Sequence, residues 1–174
     1  SVPRKQIGFI CRRFNPDRIA AIKAQYGPSI FITCGKSADL NNIQIDNYAG
    51  TIFATSGINI TATGNATVVQ LPVETFDTHN YLAASDIVIA KAGWGTISEA
   101  LLSKRNLVLI EREGVLEDTE NIEELKRRGV AVSIKESDLA NIDMQAITDL
   151  IAENIIRENL DACHNAIGDV IRAL

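Results

Sequence analysis

Cysteine is scarce in this sequence, and histidine and tryptophan are scarcer still: three, two and one in 174 residues. Cys11, Cys34 and Cys163 are odd in number and far apart, with no Cys-x-x-Cys or Cys/His spacing. No zinc site or disulfide framework is expected from them. Cys11 and Cys34 stand in apolar runs and read as small buried hydrophobes. A reducing, cytoplasmic compartment is the simplest setting. The sequons at Asn59 and Asn65 then carry no meaning as glycan acceptors. No Ser/His/Asp set or paired-carboxylate set is visible, so no catalytic residue is assigned. His79 and His164 have no partner in the sequence and read as surface residues. No apolar run approaches the roughly 18 residues of a membrane span, and no signal-peptide pattern is seen. An excess of positive charge is also missing: 17 Lys and Arg stand against 22 Asp and Glu, a net charge of −5. That excludes a protein that tracks nucleic-acid phosphates along a basic stripe. The one basic cluster, Lys126-Arg127-Arg128, reads as the solvated last turn of a helix. The chain starts at Ser1 without a Met, and is read as a processed piece or a fragment.

What is present is a globular composition, 46% hydrophobic and 22% charged, long enough for one substantial core. Apolar runs of strand length alternate with helical patterns. Asn15-Pro16-Asp17 opens a helix that Gly27-Pro28 ends. Strands are expected at 29–34, 51–55, 68–71, 87–90, 107–110 and 130–134. Helices are expected at 77–84, 96–103, 118–128, 144–154 and 155–174, with a weak helix ending near Asn47. This order predicts an α/β fold: one Rossmann-like parallel sheet with helices on both faces. Ligands of such sheets sit beyond the carboxyl ends of the strands, where the chain order reverses. The loops at Gly35, Leu71, Gly93 and Glu111 should share that edge. The expected division is a linker and opening helix at 1–28, a Rossmann-like domain at 29–154 and a C-terminal helix at 155–174.

One stretch carries chemistry. In SDIVIAKAGWGTISEALL, residues 85–102, a buried strand runs through Gly93 and Gly95 into a helix start. Glycines let a backbone approach an anion, and the first helical N–H groups stabilise its charge. Glu99 lies about one turn in, where a carboxylate can accept from ribose hydroxyls. The spacing is neither a dinucleotide fingerprint nor a Walker loop, so the pattern alone leaves ordinary strand–helix punctuation open. Thr96 could equally be an N-cap, and Trp94 could stack on a ligand or fill a gap.

Ser85-Asp86, Lys91-Ala92-Gly93, Gly95-Thr96 and Ser98-Glu99 together resemble the donor-binding motif of GT-B glycosyltransferases, and among them the C-terminal domain of family 28. Arg4 to Arg13 resembles that family's linker into the domain, Ser29 to Ser37 its first strand and Gly-rich turn, and Asn121 to Val132 a later helix and strand. Ile167-Gly168 and Val170-Ile171 resemble its closing helix. Arg105-Asn106-Leu107 departs from the usual Gly-x-Pro, and Gly35-Lys36 from the usual double glycine.

The resemblance implies a donor-binding half of an inverting transferase. Its substrate is a nucleotide sugar, UDP-linked, with no metal or other cofactor. Gly93, Gly95 and Thr96 would hold the diphosphate and Glu99 the ribose. Gly35, Lys36 and Ser37 would form a second phosphate-side turn. Leu71, followed by Pro72, would meet the base through backbone groups there and at Val73. Asp118 stands where the family usually has a sugar-binding Gln, with Asn121 after it. The acceptor site and any general base would come from an N-terminal domain or partner chain, and peripheral membrane association of the full enzyme is compatible with this. Ile7 to Phe9 and the last helix would carry apolar surface for that seam. Two other readings stay open: a non-catalytic nucleotide-binding subunit, and half of a nucleotide-sugar epimerase.

Overall fold

The computed structural model of the chain describes residues 8–34 and 42–165. Asn15 and Pro16 start the first helix as their chemistry requires. In α1 (Pro16–Tyr26) the Asn15 side chain accepts from the Arg18 N–H, and Gly27 closes the helix at a φ of 67°. There follow β1 (Ser29–Thr33), β2 (Ile43–Asp46), β3 (Thr51–Ala54), β4 (Ile60–Ala62) and β5 (Thr67–Gln70). Helix and strand then alternate through α2 (Thr78–Ala84), β6 (Ile87–Lys91), α3 (Trp94–Leu102), β7 (Asn106–Glu111), α4 (Leu116–Arg127) and β8 (Ala131–Lys135). A 3-10 helix at Glu136–Asn141, β9 (Ile142–Asp143), α5 (Met144–Asn154) and α6 (Arg157–Asp161) come last.

Six strands form a parallel sheet in the order β5-β3-β1-β6-β7-β8. The chain builds outward from β1 to β3 and β5, then returns to β1's other side and builds through β6, β7 and β8. Order therefore reverses between β1 and β6, where Thr33 lies beside Ala90. All carboxyl ends share one edge, so this gap is the place a ligand crevice belongs.

Side chains alternate across the strands, so the central strands β3, β1, β6 and β7 bury both faces, whereas the edge strand β5 is largely exposed. Phe31, Phe53, Val88 and Leu109 face α1 to α4, packing against Ile22, Leu82, Ile97 and Leu125. Ile30, Ile32, Ile89 and Val108 face the other way, onto Ile43, Ile45, Met144 and Ile147. Full burial of side chains this size stabilises by roughly 1.5–3 kcal/mol each before chain entropy is counted. Phe53 is gripped edge-on by Tyr26 and Tyr81, with centroids 5.0 and 5.2 Å away.

The α/β class, the parallel sheet and its flanking helices agree with the sequence reading. Several details differ. A second, three-stranded parallel sheet, β4-β2-β9, covers part of one face, so the sheet is not single. The weak helix expected up to Asn47 is replaced over Ile43–Asp46 by a strand. Its alternation is short: Ile43 and Ile45 are buried, Gln44 and Asp46 half-buried. α3 starts at Trp94 and α4 at Leu116, each two residues early, so neither Thr96 nor Asp118 caps a helix; Gly93 and Val115 hold those places. Of the helix expected at 155–174, the described residues form α6 at Arg157–Asp161, and 162–165 are not helical. Lys104 donates to the carbonyls of Leu160, Asp161 and Cys163 where α6 ends, an ammonium stop of the kind helix C-termini favour. The turn expected at Gly35, Lys36 and Ser37, the seam residue Ile7 and the end of the last helix lie outside the described residues.

Gly129 ends α4 at a φ of 65°, and a Cβ there would stand 2.8 Å from Ile156 side-chain carbons. Gly129→Ala is expected to cost about 1–2 kcal/mol. Urea unfolding checks this; an unchanged midpoint would contradict it.

Candidate functional site

The crevice edge is built by β6 and α3. β6 ends at Lys91, Ala92 is buried, and Gly93 occupies the N-cap of α3 in an extended conformation with no side chain to cap the helix. The Ile97 N–H bonds to the Gly93 carbonyl at 3.0 Å, so helical bonding begins there. The N–H groups of Trp94, Gly95 and Thr96 precede that bond and have no acceptor within the helix.

Neither glycine is required by the backbone. Both lack the positive φ that favours glycine, and a Cβ on Gly95 would meet nothing within 4 Å. At Gly93 the nearest atom is Lys91 Cε, at 3.9 Å. Among the described residues nothing requires the two glycines or fills the room above the helix start. Spacing of three and four residues places Gly95, Thr96 and Glu99 on one helix face.

Glu99 is not solvated. Its side chain is 13% exposed and Oε1 accepts from Arg12 Nε at 2.8 Å. Arg12 sits on the segment leading into α1, which crosses α2 and α3. Phe9 on the same segment is half-buried, its ring 6.1 Å from Trp94, which remains 51% exposed. Phe9, Ile10, Trp94, Ser98 and Asn121 line a groove of about 360 Å³. Trp94 thus packs beside Phe9, on a different face of α3 from Glu99. His79 has a partner, unlike the expectation: its Nε2 lies 3.1 Å from the Arg13 carbonyl, with the ring against Phe14.

The remaining candidates surround this centre. Leu71 is buried and its N–H is already donated to the Ala54 carbonyl at 2.8 Å, so that group is not offered to a ligand. Val73 and Phe76 in the same loop are exposed, Phe76 at 88%. Asn121 Nδ2 donates to the Ala92 carbonyl at 3.3 Å, tying α4 to the glycine loop. Cys34, at the end of β1, is buried, and burial pushes its thiol up to about 12; Lys91 and Arg112 act in the opposite direction.

Asp118 is buried, and its Oδ2 accepts from Arg112 Nε at 2.7 Å and Nη2 at 2.6 Å. Its charge is balanced by Arg112, whereas the nearby carboxylates Glu113, Glu117 and Glu120 are exposed. Beyond the ends of β7 and β8 a cleft of about 570 Å³ is lined by Arg112, Thr119, Ile122, Lys126 and Glu136. Sequence reasoning missed Arg12 and Arg112. Arg12 carried a signal as the close of the linker text; Arg112 carried none beyond its place after a strand. Among the described residues, no cluster of three or more His, Cys, Asp or Glu is placed to hold a metal. No described helix is long and apolar enough to cross a membrane.

A parallel sheet whose switch point carries an uncapped, glycine-flanked helix start is a Rossmann-like α/β domain with its ligand edge formed by β1 and β6. The chain belongs to the glycosyltransferase family 28 C-terminal domain, whose profile matches residues 18–165. Among curated proteins none matches it in sequence.

Solved structures share the fold. The glycosyltransferase SnogD from Streptomyces nogalater superposes with a TM-score of 0.53 at 15% identity, over 84% of this chain and 42% of that one. The spinosyn forosaminyltransferase SpnP gives 0.55 at 15% identity, over 84% and 42%. MurG from Acinetobacter baumannii gives 0.54 at 15% identity, over 99% and 56%. The chain thus spans about half the length of these enzymes.

Proposed function

We propose that this chain is the donor-binding domain of a GT-B glycosyltransferase, acting with an acceptor-binding domain or partner chain. The observation that carries this reading is the start of α3. Two glycines that no described residue requires leave room over uncapped N–H groups at the switch point, and Glu99 lies on the same face one turn along. Family membership adds the substrate class, a nucleotide sugar.

In this reading the diphosphate sits at Gly93, Gly95 and the Thr96 hydroxyl. The ribose meets Glu99. The base lies along the loop after Leu71, and the sugar extends toward Asp118 and Asn121. As the bond from the sugar carbon to the diphosphate oxygen breaks, negative charge grows on that oxygen. Preorganised N–H groups and a helix N-terminus stabilise such charge. This is the chain's contribution to rate. A base that deprotonates the acceptor comes from the acceptor-binding part, so the chain alone binds donor and turns over nothing. The donor is UDP-linked with a hexosyl or N-acetylhexosaminyl group, and a reducing cytoplasm suits the separate thiols. Any peripheral membrane association belongs to the full enzyme.

Calorimetric titration with UDP, GDP, ADP and dTDP tests the site. UDP should bind most tightly. Glu99→Ala removes a charged acceptor whose hydrogen bonds are each worth roughly 1.5–3 kcal/mol, so UDP affinity should fall at least about tenfold. Binding by none of the four, or equal binding by both proteins, would reject the site.

A further inference from the structure

Arg12 joins three pieces of the site that the sequence keeps apart. Its Nε donates to Glu99 Oε1 at 2.8 Å, its Nη1 to the Phe76 carbonyl at 3.0 Å, and its Nη2 reaches Thr78 Oγ1 at 3.4 Å. Glu99 belongs to α3, Phe76 to the loop after β5, and Thr78 to the first turn of α2. A guanidinium suits this junction because its donors diverge in a rigid plane; a lysine ammonium cannot span the same three acceptors with fixed geometry. Only Oε1 of Glu99 is engaged; among the described residues nothing bonds Oε2. A free Glu side chain samples several rotamers, and ordering it on binding costs affinity. Arg12 holds it ordered beforehand.

We propose that Arg12 is a positioning residue of the donor site, fixing the Glu99 carboxylate against the Phe76 loop so that Oε2 faces the donor's ribose hydroxyls. This rests on the donor-site reading above. Arg12 acts through Glu99, so its effect belongs to the ribose and not to the diphosphate or the base. It also belongs to the segment leading into the domain, which places part of the nucleoside site outside the sheet-and-helix body. The contrary role is a plug, in which Arg12 occupies Glu99 until donor displaces it; its removal would then tighten binding.

The test uses the 174-residue chain, with UDP and 2′,3′-dideoxy-UDP titrated by calorimetry into wild type, Arg12→Met, Arg12→Lys, Glu99→Gln and Arg12→Met/Glu99→Gln. Wild type should prefer UDP over the dideoxy analogue by about tenfold. Arg12→Met should weaken UDP by about fivefold and leave the dideoxy analogue within about twofold, with Arg12→Lys in between. In the Glu99→Gln background, Arg12→Met should add no further loss. Equal weakening of both nucleotides would make Arg12 a support of the Phe76 loop only and overturn the proposal. So would no change, or tighter UDP binding. If Glu99→Gln weakens UDP and Arg12→Met does not, the donor site stands and the role of Arg12 falls. If wild type does not bind UDP, or Glu99→Gln binds it equally, the donor-site reading fails and this proposal with it.

Discussion

Gly95→Val is expected to abolish nucleoside diphosphate binding, by about a hundredfold or more, while leaving the fold intact. Gly95 is the second residue of α3, and side chains of a helix tilt toward its N-terminus. A valine there points into the space over the uncapped N–H groups. Among the described residues a Cβ there meets nothing within 4 Å. Helix propensity favours valine over glycine by a few tenths of a kcal/mol, so stability should hold or rise slightly. Loss of binding with an unchanged unfolding midpoint is thus the signature of a glycine kept for a ligand. If the variant unfolds more easily by more than about 1 kcal/mol, the glycine serves the fold and the argument from α3 weakens. If it binds as wild type does, no ligand approaches there.

Asp118→Ala is expected to cost about 3 kcal/mol of stability. Asp118 is 7% exposed and Arg112 17%, and two charge-assisted bonds join them. Removing the carboxylate leaves the guanidinium in a part-buried corner with no acid to answer it. Replacing both residues, as Arg112→Met with Asp118→Leu, should recover most of that loss, because the desolvation of both charges is relieved together. Urea unfolding of Asp118→Ala and of the double variant measures the loss and its recovery. A cost below about 1 kcal/mol for Asp118→Ala would mean that the pair behaves as a surface contact.

The strand, glycine loop and helix of the candidate site were legible because their signals are local. An apolar run that fits a buried strand, two glycines and a helical repeat within eighteen residues define strand, loop and helix together. The α/β class follows for the same reason, since β1, β6 and β7 and the helices α1 to α4 announce themselves over five to twelve residues. The second sheet was hidden because β2 and β4 offer only four and three residues, too few to separate period 2 from period 3.6. Helix starts slipped by two residues because Gly93 and Val115 cap with backbone alone, whereas Thr96 and Asp118 carry the side chains that usually mark a cap. Arg12 and Glu99 are 87 positions apart, and nothing in either neighbourhood selects the other. Arg112 and Asp118 are only six apart, but a strand end and a turn lie between them, and no helical or strand period aligns them.

The most direct test of the central claim is an amide NMR titration of this chain with UDP. The account predicts the largest perturbations at the backbone N–H groups of Trp94, Gly95 and Thr96, with smaller ones at Glu99 and along the loop from Leu71 to Phe76. Perturbations confined to the cleft between Arg112 and Lys126, or an unchanged spectrum around α3 at saturating UDP, would contradict it.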